Sequence, residues 1–213
     1  MLNPRLIIVF AISSFSIPFL TYSPKTYDGY TYVSNKTTPD NLIVKDNNLV
    51  IKLYYDKADC EYIVNYHYEG ISEITSETRT AKFKDTVTVT QEMIDAHNKT
   101  NYVYDHTTPE SIVIATDKSK NVIDVYYVKQ EFQYTVEYYQ QNVNKDGYTK
   151  VDADTATKTG KFGAKAIYDI NTYDGFTYNS AQTINGNTTI PANNNLVIKL
   201  YYNRDNYSYK VEH

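Results

Sequence analysis

Seven consecutive residues, Leu49-Val50-Ile51-Lys52-Leu53-Tyr54-Tyr55, recur without a change at Leu196–Tyr202, and Val122-Ile123-Asp124-Val125-Tyr126-Tyr127 is a third, looser copy. Self-similarity of this kind constrains a fold more than any local pattern, because each copy is one small unit that relies on its neighbours to complete its burial. Other landmarks recur in the same register. Thr26-Tyr27-Asp28-Gly29-Tyr30-Thr31-Tyr32 matches Thr172-Tyr173-Asp174-Gly175-Phe176-Thr177-Tyr178, and the middle copy keeps Tyr102-Val103-Tyr104 there. Thr37-Thr38-Pro39-Asp40 returns as Thr107-Thr108-Pro109-Glu110. Tyr62, Tyr134 and Tyr209 each open an alternating segment, at intervals of 72 and 75 positions.

This register predicts the rear half of a truncated repeat over 21–55, full repeats over 62–128 and 134–203, and the first strand of a further truncated repeat over 207–213. Both ends cut through a unit, so the expectation is a fragment of a longer array. Residues 1–20 stand apart. Arg5 precedes the apolar run Leu6–Ile12, and Pro18 interrupts the rest of the segment. The charge and length suit a secretory signal, but Phe19 and Leu20 sit where a cleavage site wants small residues. A mis-called start is the competing reading.

Within a unit, Tyr62, Val64, Tyr66 and Tyr68 alternate with polar residues, as do Tyr134, Val136 and Tyr138, which predicts half-buried strands. Second strands are expected over 78–90 and 157–170. Thr90 followed by Gln91–His97 reads as one or two helical turns with Thr90 as N-cap. The Tyr-x-Tyr strand, a short strand over Ser111–Ala115 and the closing Tyr-Tyr strand complete four or five strands. The expected fold class is mostly β, with small β-grasp-like α+β modules in an elongated tandem array. Linkers of about five residues are expected at 56–59, 128–131 and 203–206. Units of about 70 residues are marginal alone.

Composition sharpens this. The chain has 24 Tyr but no Trp and 7 Phe; tyrosine has an apolar ring and a polar tip, which fits strand faces. A net charge of −4 with scattered lysines speaks against nucleic-acid binding. The single Cys60 allows no internal disulfide or cysteine metal cluster. His67, His97, His106 and His213 fall at non-equivalent places without metal spacing. Asp28-Gly29 and Asp174-Gly175 read as turns. Asp152 and Asp154 lie in a polar loop, where a weak calcium contact is the most they suggest. No serine elbow or phosphate loop is visible, so no enzyme and no cofactor are expected.

The motifs Tyr134–Tyr139, Lys158-Thr159-Gly160-Lys161-Phe162-Gly163, Tyr173–Tyr178 and Leu196–Tyr202 together resemble the mucin-binding-protein (MucBP) repeats and related tandem adhesin repeats of Gram-positive bacterial surface proteins. The resemblance spans residues 21–213. It departs at Ala81-Lys82-Phe83-Lys84, which replaces the glycine-flanked segment of the second full repeat. It implies a β-grasp-like or related module in an extracellular, wall-anchored protein, although no wall-anchor motif is visible. It implies a role in projecting an adhesive tip or in binding mucin and host glycans directly. An internal Lys–Asn cross-link is a further implication. The leading expectation is a stalk or spacer whose partners are neighbouring repeats. The alternative is a glycan-binding module through exposed tyrosines, with Tyr55, Tyr127 and Tyr202 as the candidates. No membrane contact is expected beyond the N-terminal segment.

Overall fold

The structure is a computed structural model that describes residues 6–12, 23–36 and 49–212. The Thr37–Asp40 motif, His213 and most of the 1–20 segment lie outside the described residues. The molecule is mostly β. It divides into two compact units, one drawn from residues up to 98 together with 104–127, the other from 99–103 and 128 onward.

In the first unit, β1 (Leu6–Ile12), β2 (Tyr30–Tyr32) and β3 (Leu49–Lys57) form a sheet ordered β1-β3-β2, antiparallel throughout. The next stretch supplies β4 (Asp59–Tyr68), β5 (Thr75–Lys82), β6 (Thr86–Thr88), α1 (Gln91–Ala96), β7 (Tyr102–Thr108), β8 (Ser111–Val113) and β9 (Val122–Lys129). Four of these strands form a sheet ordered β5-β4-β9-β7, while β6 and β8 pair separately. β4 meets β5 antiparallel and β9 parallel, so the first and last strands lie side by side at the centre.

The second unit contains β10 (Glu131–Gln141), β11 (Tyr148–Lys150), β12 (Ala156–Lys161), β13 (Phe176–Tyr178) and β14 (Leu196–Arg204). Here β10 pairs parallel with β14, and β13 flanks β14. The outer edge of β10 is shared between β12, opposite Glu131–Val136, and β11, opposite Tyr139–Gln141.

The predicted alternation holds. Tyr62, Val64, Tyr66 and Tyr68 on β4 are buried with Ile123, Val125 and Tyr127 on β9. Phe132, Tyr134, Val136 and Tyr138 on β10 are buried with Leu196, Ile198, Leu200 and Tyr202 on β14. Period-2 spacing puts these on one face, and the β-branched and aromatic residues fill it. The helix forms where Thr90 predicts it, with the Thr90 hydroxyl accepting from the Met93 N–H at 3.3 Å. Met93 and Ile94 are the buried residues of this helix.

Three expectations need correction. The repeat register predicts a strand over 207–213, but residues 207–212 carry none and β14 is the last strand among the described residues. The second strands do not run through to residues 90 and 170; they end at Lys82 and Lys161. Two residues on, Lys84 (φ 61°) and Gly163 (φ 74°) adopt the left-handed conformation, which breaks the extended backbone. Their N–H groups bond to the Ile114 and Ile190 carbonyls at 2.9 Å, turning the chain toward the opposite loop in both places.

The linkers are also shorter than expected. β3 ends at Lys57 and β4 begins at Asp59; β9 ends at Lys129 and β10 begins at Glu131. The single residue between is held on both sides. In the first unit, the Ala58 N–H donates to the Gly29 carbonyl (3.0 Å) and the Ala58 carbonyl accepts from the Phe83 N–H (2.9 Å). In the second, the Gln130 N–H donates to the Asn101 carbonyl and its carbonyl accepts from the Phe162 N–H, both at 2.9 Å. Both backbone polar groups of each connecting residue are thus satisfied. The first joint adds an ion pair from a largely buried lysine, Lys57 Nζ to Asp85 Oδ1 at 2.7 Å, and an edge-on contact of Tyr30 with Phe83.

Candidate functional site: the two faces of the tyrosine-rich sheets

A Tyr-Tyr doublet on a strand must send one ring inward and one outward. The inward members are Tyr55, Tyr127 and Tyr202, each 1% exposed. This corrects the expectation that these three offer surfaces for a sugar. Tyr27 meets Tyr55 edge-on at 5.0 Å and Tyr173 meets Tyr202 edge-on at 4.8 Å, while Tyr32 and Tyr178 lie tilted against the same rings at 5.5 Å. Tyr127 is packed by Tyr68, stacked at 5.0 Å, and by Tyr104. The Tyr-Asp-Gly-(Tyr/Phe)-Thr-Tyr motif therefore encloses the buried ring wherever it occurs. Edge-to-face pairs of this kind add stability beyond the area they bury.

Several inward hydroxyls give tyrosine a role that leucine or phenylalanine could not fill, whereas those of Tyr55 and Tyr202 are buried without a hydrogen-bond partner. Tyr127 and Tyr68 donate to the Ile94 and His97 carbonyls at the end of α1, both at 2.6 Å. His97 closes the helix by stacking on Tyr66 at 3.5 Å and bonding through Nδ1 to the Met93 carbonyl. In the second unit, Tyr134 and Tyr138 donate to the Ile167 and Asp169 carbonyls at 2.7 and 3.0 Å, across a segment without a helix. Desolvation pushes the Tyr127 and Tyr202 phenols up to about 12, and moves Tyr55, Tyr66, Tyr68 and Tyr138 in the same direction.

The outward face carries a second set of rings. His67 on β4, Tyr126 on β9 and His106 on β7 stand nearly parallel, with centroid spacings of 4.7 and 4.6 Å. Both faces of Tyr126 are thereby covered. Asp124 Oδ1 lies 2.8 Å from His67 Nε2 and accepts from Asn65 Nδ2 at 3.0 Å; Ser76 in turn donates to Asn65. His106 Nδ1 is 2.7 Å from Asp105 Oδ2. In the second unit, Tyr139 and Tyr201 occupy the positions matching His67 and Tyr126 and stack at 5.1 Å. Tyr148 meets Tyr201 edge-on and donates to Asn203 at 2.6 Å. Hydrogen bonding to Glu137 pushes the Tyr139 phenol up to about 12. Beside His106 lies a half-open cleft of about 290 Å³ lined by Val89, Tyr104, Asp105, His106, Thr107 and Glu110.

The remaining sequence candidates are placed in structural roles. Asp154 accepts from the Tyr173 hydroxyl and Asp152 pairs with Lys150. Asp28 accepts from Thr116 at 3.0 Å. Cys60 is half-buried, and desolvation with Asp28 and Asp59 nearby pushes its thiol up, away from the reactive thiolate. Among the described residues no group of three His, Cys, Asp or Glu side chains is set to hold a metal, and no helix is long and apolar enough to cross a membrane. Lys165 reaches Asn187 and Lys145 reaches Asn206 as exposed hydrogen bonds. Sequence reasoning missed the His67–Tyr126–His106 stack, because its members come from three strands well apart in sequence. It also missed Asn121, fully buried, which donates to the Glu61 and Ala115 carbonyls and accepts from the Ala115 N–H. The third copy's departure from Leu49 and Leu196 at this position was the available signal.

No protein-family model matches the chain, and no curated protein matches it.

Proposed function

We propose that the chain is a non-enzymatic spacer segment of a bacterial cell-surface adhesin, built from tandem copies of one β-grasp-like module of the MucBP-like kind and working outside the cell at the wall. The observation that carries this reading is the joint. A single residue connects successive strands, and both of its backbone groups are bonded, at Ala58 and again at Gln130. So short a connection suits a spacer, because a long flexible linker contributes little reach per residue. The order β5-β4-β9-β7, with first and last strands central and parallel, supports the β-grasp assignment. The inward tyrosines support the same reading, since they are committed to packing and to the crossover carbonyls.

Small-angle scattering of the full chain tests it. A spacer gives a rod-like cross-section and a maximum dimension well beyond that of a compact 213-residue globule; a globular profile sinks the proposal.

A second reading, direct binding of mucin or host glycans, keeps one supporting observation. Tyr104 and His106 line the open cleft with two carboxylates that can accept from sugar hydroxyls. A glycan array probed with the chain and with Tyr104→Ala distinguishes the two readings. Binding that this substitution removes favours the lectin; an empty array leaves the spacer.

A further inference from the structure

We infer that each module is a shear clamp, built to carry tension along the chain. The clamp deepens the spacer reading and rests on it for its purpose, while its support is the strand topology. β4 begins at Asp59 and β9 ends at Lys129; they are the first and last strands of their module, and they are neighbours. Because the pair is parallel, the chain enters at one end of the sheet and leaves at the other. A pull on the two ends therefore draws β4 and β9 past each other along their own axes. Six residue pairs, Ile63–Val122 through Tyr68–Tyr127, oppose that motion together. In the second unit β10 and β14 repeat the arrangement with seven pairs, Tyr134–Leu196 through Gln140–Tyr202.

Loading in shear differs from peeling. Peeling breaks ladder bonds one after another, each at low force, while sliding strains the whole ladder and drags the inward rings across each other. The clamp is reinforced where the load enters. The Ile63 N–H bonds to the Asn121 carbonyl at 2.8 Å, and the buried Asn121 amide ties Glu61 of β4 to Ala115. At the far end the Glu69 N–H bonds to the Tyr127 carbonyl at 2.9 Å. Outside, His67–Tyr126 and Tyr139–Tyr201 stack across the same two strand pairs, so a slide of one residue separates rings on both faces.

Single-molecule force spectroscopy on the whole chain tests the clamp by changing only the direction of pull. In a Cys60→Ser background, handles at Asp59→Cys and Gln130→Cys load β4 and β9 in shear. Handles at Asp59→Cys and Lys120→Cys pull the same ends of the two strands apart. Glu131→Cys with Arg204→Cys, and Glu131→Cys with Asn195→Cys, make the same comparison for β10 and β14. All of these handle positions are exposed, and circular dichroism verifies that each variant is folded. Forced unfolding reports the barrier along the pulled direction, not equilibrium stability. The clamp gives a rupture force several times higher in shear than in peeling. Equal forces in the two directions overturn it, and leave the scattering test of the spacer untouched.

Discussion

The stretch from Asp59 to Lys129 and the stretch from Glu131 to Arg204 build the same central strand pair, yet they cross from one edge of the sheet to the other by different means. The first uses α1, capped by Thr90 and closed by His97 on Tyr66. The second uses an irregular segment, 162–175, in which Ala166 enters the core. Both tie the crossover to the strand face through tyrosine hydroxyls, at Ile94 and His97 in one and at Ile167 and Asp169 in the other, but from non-equivalent positions: Tyr202, which matches Tyr127, has its hydroxyl buried without a hydrogen-bond partner. The second unit therefore anchors its crossover to the strand face without a helix.

Alkaline pH should strain that shared anchoring most. The buried phenols have folded-state values raised above the ordinary value of 10, to about 12 for Tyr127 and Tyr202. Above pH 10 the unfolded chain releases these protons while the native state still holds them, so unfolding gains on folding until the native phenols also ionise. Stability is thus fully present below pH 10 and is lost between about 10 and 12. The buried phenols all act in the same direction, so both units weaken as pH rises through this window. Chemical denaturation followed from pH 8 to 12 checks this. A midpoint that stays flat to pH 12 shows that the hydroxyls are not held neutral in the core.

Exchanging residues at one matched position should be the next most damaging change. Asn121 in the first module stands where Leu196 stands in the second, and both are buried. Leu196→Asn places an amide in an apolar site and removes packing, for a loss of about 3–5 kcal/mol. Asn121→Leu leaves the Glu61 and Ala115 backbone groups without their partner, for a loss of about 2–3 kcal/mol. Urea denaturation of the two variants gives the order. If Asn121→Leu stabilises the chain, the buried amide is not the pin its bonds suggest.

The joints differ as well. A Cβ on Gly29, where φ is +75°, would fall 2.2 Å from the Phe83 ring, whereas Asn101, at the matching place, already carries a side chain at φ 67°. Gly29→Ala therefore costs about 2 kcal/mol, from the left-handed backbone and a displaced ring together. Asn101→Gly stays within about 0.5 kcal/mol of the parent. Thermal melts of both variants measure the contrast, and equal shifts would erase it.

Much of this architecture is legible in the sequence. The strand pattern, the Thr90 cap and the closing Tyr-Tyr strands follow from period and propensity. The exposed face of each doublet is not legible, because alternation tells that one ring points inward but not which. Tyr55 and Tyr54 exchange roles with a single step of register. The break after Lys82 is also hidden: a lysine in the left-handed region carries no local signal, although Gly163 at the matching position supplies one. The His67–Tyr126–His106 stack depends on strand order, which no local window contains.

The mildest substitution separates the two crossovers most cleanly. Thr90 accepts from the Met93 N–H, one of the four donors that the first turn of α1 leaves without a helical partner. Thr90→Ala removes that acceptor and costs about 1 kcal/mol. The second crossover has no helix to cap, so its unit should be untouched. Hydrogen exchange resolves the two: amides of α1 and of β9 should exchange about fivefold faster in the variant, by the equivalence of about 1.4 kcal/mol to a factor of ten. Amides of β10 and β14 should keep the parent rate. Faster exchange throughout both units would mean that the crossovers share one cooperative transition. In that case the helix supports more of the molecule than the comparison of the two sheets assigns to it.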